Sequence, residues 1–292
     1  MTASAGRLAD ARAADAIEPA AAAPGWDCHA HLFGPYADYP LAEGRSYTPP
    51  EALEHHYAGL LERLGLGHGV LVHPSAYGAD HRLVLDALAS QSRWRGVLVA
   101  TAGPAPALAG LREQGVRALR FSHRSGATAN FAGSASLQDL EALAPALADA
   151  GLHAELWTDC QALPSIAGTL RALPVPVVID HMGMFDPTEG PGQSGFDTLR
   201  ALLGEGRIWV KLCAYRHLRA LPAGEACSVG KAFQDALVAA NPEHVVWGSD
   251  WPHLNVPGTT DTAALLQSFK DWAGDAPTIE RVLVTNPETL YR

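Results

Sequence analysis

The sequence is poor in the features that announce several protein classes. Lysine and arginine together number 21 against 31 acidic residues, giving a formal charge of −10 with no basic run, so the footprint of a nucleic-acid binder is missing. Only four cysteines occur, Cys28, Cys160, Cys213 and Cys227, and none forms a C-x-x-C pair. Zinc cages and redox pairs of that spacing are excluded, and a reduced, cytoplasmic setting is expected. No segment approaches the roughly 18 uninterrupted apolar residues of a membrane helix. Residues 1–24 are mostly alanine with scattered Arg and Asp; they carry no signal-peptide core and are expected to form a disordered or loosely attached tail. A glycine-rich phosphate turn after an early strand is also missing, which counts against a doubly wound dinucleotide-binding sheet.

What remains is a chain of 292 residues, 48% hydrophobic, with enough apolar content for a substantial core. From Trp26 onward, short β-branched or apolar runs alternate with longer Ala/Leu-rich stretches. Strands are expected at Trp26 to Leu32, Gly69 to Pro74, Gly96 to Thr101, Val116 to Ser122, His153 to Thr158, Val175 to His181, Ile208 to Cys213 and His244 to Asp250. Helices are expected at Pro50 to Leu64, His81 to Gln91, Pro106 to Gln114, Ser136 to Ala150, Leu163 to Ala172, Phe196 to Leu203, Val229 to Ala240 and Thr262 to Trp272. Gly65, Gly115 and Gly151 fall just beyond three of these helices, where a C-terminal glycine is favoured. Eight such units predict an α/β fold, a single-domain (β/α)8 TIM barrel over residues 25–292, whose chemistry belongs at the C-terminal ends of the strands.

That expectation gathers polar residues that are scattered in sequence. His29 and His31 close the first strand, Asp180 and His181 the sixth, and Asp250 the eighth. Strict alternation along the first strand puts Asp27, His29 and His31 on one face, with Trp26, Cys28 and Ala30 on the other. Strands one and eight are neighbours in a closed barrel, so Asp250 can approach the two histidines. One strand-end histidine is often only a satisfied polar group, and a strand-end aspartate often caps a helix. Such residues gathered on one rim make a candidate active site.

Several segments extend the pattern into a family resemblance. They are Asp27-Cys28-His29-Ala30-His31-Leu32-Phe33-Gly34-Pro35, Arg45-Ser46-Tyr47-Thr48-Pro49, Asp180-His181-Met182-Gly183, Val210-Lys211-Leu212, Trp247-Gly248-Ser249-Asp250-Trp251-Pro252-His253 and Asn286-Pro287. From Trp26 to Arg292 the chain resembles the amidohydrolase superfamily in its amidohydrolase-2 branch, and there the lactonases of the 2-pyrone-4,6-dicarboxylate type. The resemblance implies a hydrolase that opens a carboxylated lactone, such as a pyrone dicarboxylate, a muconolactone or a sugar-acid lactone, in aromatic-compound or related catabolism. It implies Asp250 as the general base that activates water, with His29, His31 and His181 polarising the ring carbonyl.

Cofactor and substrate residues follow less directly. No metal is favoured, because Trp157 stands where a metal-binding member tends to place histidine; the alternative is one Zn2+ on His29, His31 and Asp250, in a zinc-dependent hydrolase or decarboxylase of the same branch. Arg120 alternates with Ala118 and Ser122 and is expected to reach the pocket as a carboxylate clamp. The resemblance adds Tyr47, Trp157 and Arg216 as substrate contacts, and His253 and Asn255 extend the strand-eight loop over the same rim. Position 126, where similar sequences carry a second arginine, is glycine, and Arg124 is the candidate replacement. The expected partner is a small carboxylated lactone, not nucleic acid or membrane, bound by a monomer or homo-oligomer.

Overall fold

A computed structural model of the chain describes residues 23–103, 108–126, 131–254 and 260–292. Eight parallel strands follow one another around a single sheet in sequence order: β1 (Gly25–Ala30), β2 (Leu66–Val72), β3 (Trp94–Leu98), β4 (Val116–His123), β5 (His153–Thr158), β6 (Val177–Ile179), β7 (Ile208–Leu212) and β8 (Val245–Trp247). The expected (β/α)8 barrel is therefore present. β8 is too short to pair with β1 directly, and the closure comes from the segment that follows it. The Asp250 N–H donates to the His29 carbonyl and the His31 N–H to the Trp251 carbonyl, each at 2.8 Å. The seam that shuts the barrel thus carries the candidate site.

The outer layer contains α1 (Glu54–Leu64), α2 (Arg82–Ser90), α3 (Leu137–Asp149), α4 (Leu163–Ala172), α5 (Ser194–Gly204), the single turn α6 (Tyr215–Leu218), α7 (Ala223–Ala240), α8 (Thr262–Ala273), α9 (Ala276–Glu280) and α10 (Asn286–Tyr291). Local signals explain several boundaries. Ser136 and Asp139 form a reciprocal capping box at the start of α3, which buries Leu140, Leu143, Ala144 and Leu147 against the sheet. The helix expected at Pro106 to Gln114 is not formed in its described part. Residues 108–114 make turns, with Gly110 in the left-handed region at φ 81°, where a helix cannot continue. At the other end, α9, a π-helical turn at Arg281–Thr285 and α10 extend beyond the last expected helix. They bring Tyr291 against Trp26, at 6.3 Å between ring centroids, with its hydroxyl donating to Glu155 Oε1 at 2.8 Å.

Inside the strands, Cys28, Val70, Val72, Val97, Ala118, Val178 and Val246 form an inner cluster with Trp26, Trp209 and Tyr291. The strict alternation expected for β1 fails. Asp27 pairs with Gly69 and Ala30 with Leu71, so one extra residue of β1 is accommodated between them as a bulge. Cys28 packs into the inner cluster, and Asp27 instead bonds Tyr57 of α1 (3.0 Å) and the Ser249 backbone N–H (2.8 Å). The bulge leaves His29 and His31 facing the barrel mouth without Asp27 beside them. Among the described residues, no helix is long and apolar enough to cross a membrane.

Candidate active site

The candidate base is placed by a backbone conformation that sequence reading did not anticipate. β8 stops at Trp247 and β6 at Ile179, and the polar residues beyond them adopt left-handed backbone, with φ 58° at Asp250 and 49° at His181. Non-glycine residues rarely hold this conformation, and where they do the surrounding structure must impose it. At Asp250 the imposition comes from the seam hydrogen bond to His29. Gly248 permits the close approach: a Cβ there would lie 2.7 Å from His29 Cβ.

Asp250 is almost fully buried and its two carboxylate oxygens have different surroundings. Oδ2 accepts from the Tyr215 hydroxyl at 2.8 Å and from two nitrogens of the Arg216 guanidinium, and it stands 3.4 Å from His181 Nε2. Oδ1 lies 3.4 Å from His31 Nε2 and 3.8 Å from His29 Nε2 and has no hydrogen-bond partner among the described residues. Burial alone would raise the pKa of Asp250, but Arg216 and then His181 outweigh it and hold the carboxyl well below its usual range. The carboxylate is ionised at any working pH.

Behind this centre runs a buried chain of charges. Lys211 Nζ, with no exposure, lies 2.6 Å from Glu155 Oε2, 3.3 Å from Asp180 Oδ1 and 3.1 Å from His29 Nδ1. Arg120 Nε donates to Asp180 Oδ2 at 2.8 Å. Burial pulls the Lys211 pKa down, yet Glu155 and Asp180 outweigh it and keep the ammonium above its ordinary value. Asp180 is held far below the carboxylate range, where burial is outweighed by Arg120, Lys211 and His29. Burial, reinforced by the Lys211 charge, pushes the His29 pKa well down, so its ring is neutral. Neither Lys211 nor Glu155 is among the site residues expected from the sequence. The signal was a carboxylate in one apolar strand run and an ammonium in another, each of which has to find an opposite charge in a central strand.

A cavity of about 260 Å³ opens over these groups, with His31, His181 and Asp250 at its base and Tyr47, Arg120, Trp157 and Arg216 among its walls. Seven of the expected site residues therefore meet in one cavity. His29 lies directly behind them. Ser46, Ser75 and Phe131 also line it and were not anticipated. Two expected contacts point elsewhere. Arg124 lies over the Trp157 ring at 4.8 Å, 3.9 Å from Asp159, and lines an adjacent surface cavity. His253 is buried with Nε2 2.8 Å from Thr262 Oγ1, against the Tyr215 ring, outside the lining. Asn255 lies outside the described residues. A larger cavity of about 420 Å³ sits between β7, β8, α7 and α8, but its walls are mainly apolar and the convergent ionisable groups are in the smaller one.

The donor set also bears on a metal. His29, His31 and Asp250 present ligand atoms within 4.8 Å of one another. His31 Nδ1 is 2.7 Å from the Val72 carbonyl, to which it can only donate, so in the neutral ring the Nε2 lone pair faces Asp250 Oδ1. Two acceptors facing each other invite something positive between them, and a carbonyl behind the distal nitrogen is the usual support of a metal-bound histidine. These residues fit a divalent ion.

Comparison with known proteins agrees with this architecture. The family described as Amidohydrolase matches residues 26–292. The 4-sulfomuconolactone hydrolase of Hydrogenophaga intermedia is 32% identical over 277 residues, covering 91% of this chain and 88% of that protein. The 2-pyrone-4,6-dicarboxylate hydrolase of Comamonas testosteroni is 31% identical over 277 residues, covering 91% and 89%. A solved structure from Pseudomonas putida superposes with a TM-score of 0.78 at 28% identity, covering 92% of this chain and 97% of that one.

Proposed function

The chain belongs to the amidohydrolase family, and from that premise we propose that it is a lactonase, hydrolysing a carboxylated cyclic ester with Asp250 as general base. The observation that carries this reading is the buried, unpartnered Oδ1 of Asp250, set at the base of a cavity between histidine nitrogens. One oxygen is fixed by Arg216 and Tyr215 and the other is left for a water molecule.

In this reaction the water oxygen forms a bond to the ring carbonyl carbon while Oδ1 takes one of its protons. The tetrahedral oxyanion then collapses, the ring C–O bond breaks, and the proton on Asp250 passes to the departing alkoxide, leaving a hydroxyl group and a carboxylic acid, which releases water's second proton to the solvent as it becomes a carboxylate. Because Arg216 makes Asp250 a weak base, water must lose its proton as it attacks, and the carbonyl must be strongly polarised. His29 and His181 suit that role, whereas neutral His31, whose Nδ1 donates to the Val72 carbonyl, presents only a lone pair on Nε2. The Lys211 ammonium can only donate to His29 Nδ1, so the neutral ring in that contact carries its proton on Nε2, on the side of Asp250 and the cavity. Nε2–H donors directed at the developing oxyanion contribute about 10²–10³-fold each in comparable sites. Arg120, Tyr47 and Trp157 orient the substrate, and a cavity near 260 Å³ suits a single substituted ring.

A second reading, one zinc ion, is favoured by the orientation of His31. His29, His31 and Asp250 would hold it, and it would supply Lewis-acid polarisation of the carbonyl and a more acidic water. That arrangement requires the other tautomer of His29, with Nδ1–H donating to Asp180 Oδ1 at 3.3 Å. A panel of carboxylated lactones, followed by acid release in a pH-stat, tests the activity; no ring opening across the panel removes the lactonase reading. Elemental analysis of the same preparation separates the two mechanisms. Zinc near one per chain, with activity lost on chelation and restored by zinc, replaces the metal-free route.

A further inference from the structure

Among the described residues two guanidinium groups line the cavity, and they differ in what they can still offer. Arg216 is committed on all three nitrogens, two to Asp250 Oδ2 and one to the Leu254 carbonyl at 3.2 Å. Arg120 donates through Nε to Asp180, and its terminal amino groups make no hydrogen bond among the described residues. Its guanidinium carbon sits 5.5 Å from the centroid of the Trp157 ring, which fixes the plane of the group. Arg124 faces Asp159 in the neighbouring cavity. By sequence, residues 127–130 (Ala-Thr-Ala-Asn) and 255–259 (Asn-Val-Pro-Gly-Thr) bring no further cation to the adjoining loops.

Apart from the histidines, the charged side chains of the site balance before any substrate arrives. Lys211, Arg120 and Arg216 stand against Glu155, Asp180 and Asp250, three cations to three anions, with a neutral His29 among them. One incoming anion can take the free edge of Arg120. A second would be desolvated opposite Ser46, Tyr47, Ser75 and Phe131, which offer hydroxyls and an aromatic edge but no counter-charge, near two ionised aspartates. Such an unpaired charge is strongly disfavoured.

We propose that this cavity selects rings bearing a single anionic group, clamped by Arg120, with the remaining substituents neutral. Resting on the lactonase reading, this makes the substrate a monoanionic lactone.

The test uses ring ethers that cannot be hydrolysed, so that binding is measured apart from turnover. Titration calorimetry of the intact protein compares tetrahydropyran-2-carboxylate with tetrahydropyran-2,6-dicarboxylate. The monocarboxylate is expected to bind at least tenfold more tightly, and Arg120→Gln to remove most of that affinity, with Arg120→Lys retaining part of it. Because Arg120 also partners Asp180, a gain-of-function variant guards against misfolding: Ser46→Arg, on an exposed loop position, should raise dicarboxylate affinity about tenfold. Equal or tighter binding of the dicarboxylate to the wild type, or no binding of either ring at millimolar concentration, overturns the proposal. A preserved monocarboxylate preference in a protein that opens no lactone supports the single-anion site and removes the lactonase reading instead.

Discussion

Asp250 and His29 meet twice: the Asp250 backbone N–H donates to the His29 carbonyl at 2.8 Å, and its carboxylate Oδ1 stands 3.8 Å from His29 Nε2. The hydrogen bond that closes the barrel and the contact that builds the site belong to the same pair of residues. The candidate site and the barrel closure therefore share these two residues.

Replacing Asp250 by Asn retains an oxygen for Tyr215 but removes the basic oxygen facing the histidines. Lactone turnover should fall by about 10³-fold, within the range for loss of a general base, while affinity for a non-hydrolysable ligand stays within about tenfold. Single-turnover kinetics and calorimetry on one preparation check both halves. Unchanged turnover would falsify the assignment of Asp250 as base.

Gly248→Ala places a methyl group 2.7 Å from His29 Cβ and 3.2 Å from its backbone nitrogen. The strands at the seam must move apart, at a cost of about 1–3 kcal/mol. A lower denaturant midpoint should accompany a lower kcat, because the same shift separates His29 from Asp250. Loss of stability at constant kcat would show that the seam and the chemistry are independent.

Lys211→Met removes one ion from a fully buried network and leaves Glu155 and Asp180 uncompensated. Destabilisation of about 3–5 kcal/mol is expected, well above that of Arg171→Ala, which breaks the exposed, solvent-screened pair with Glu205. Urea unfolding of the two variants measures the contrast, and comparable losses would contradict it.

Stability should fall as the medium is acidified. Burial lowers His73, His153 and His217 from an ordinary value of 6.5 to about 3. In the unfolded chain these rings take up protons below pH 6.5 and in the folded chain they do not, so their contribution is complete above pH 6.5 and is lost as pH falls toward 3. Each ring that stays neutral contributes a slope of about 1.4 kcal/mol per pH unit in that window. Asp27 acts in the opposite sense, since burial raises it to about 6 and the folded state gains stability as it protonates. Glu155 acts in the same sense as Asp27, but the lowered histidines, with His29, His181 and His253 among them, outnumber these two acids and leave a net loss between pH 6.5 and 4. Denaturant midpoints at pH 7 and pH 5 check the sign, and His153→Phe should flatten the slope.

Much of the site was legible because strand ends in a parallel barrel share one rim. His29, His31, His181 and Asp250 could be grouped from the alternation of apolar runs alone, and Arg120 could be oriented from its neighbours at i±2. The alternation rule fails at β1, because a bulge inserts a residue between Asp27 and Ala30 and turns Asp27 toward α1. Arg124 was equally illegible. A long side chain goes where its partner is, and Asp159 is 35 residues away on another strand's loop.

The order of apolar runs, helix caps and strand-end polar residues was enough to determine the barrel and the rim on which the candidate site lies, since these depend on local periodicity and a closed parallel topology. The tertiary structure alone decided which charges neutralise which. Arg216 commits itself to Asp250, Lys211 to Glu155 and Asp180, and Arg120 keeps one edge free among the described residues, because desolvated ions must pair with whatever opposite charge the fold brings within a few ångströms.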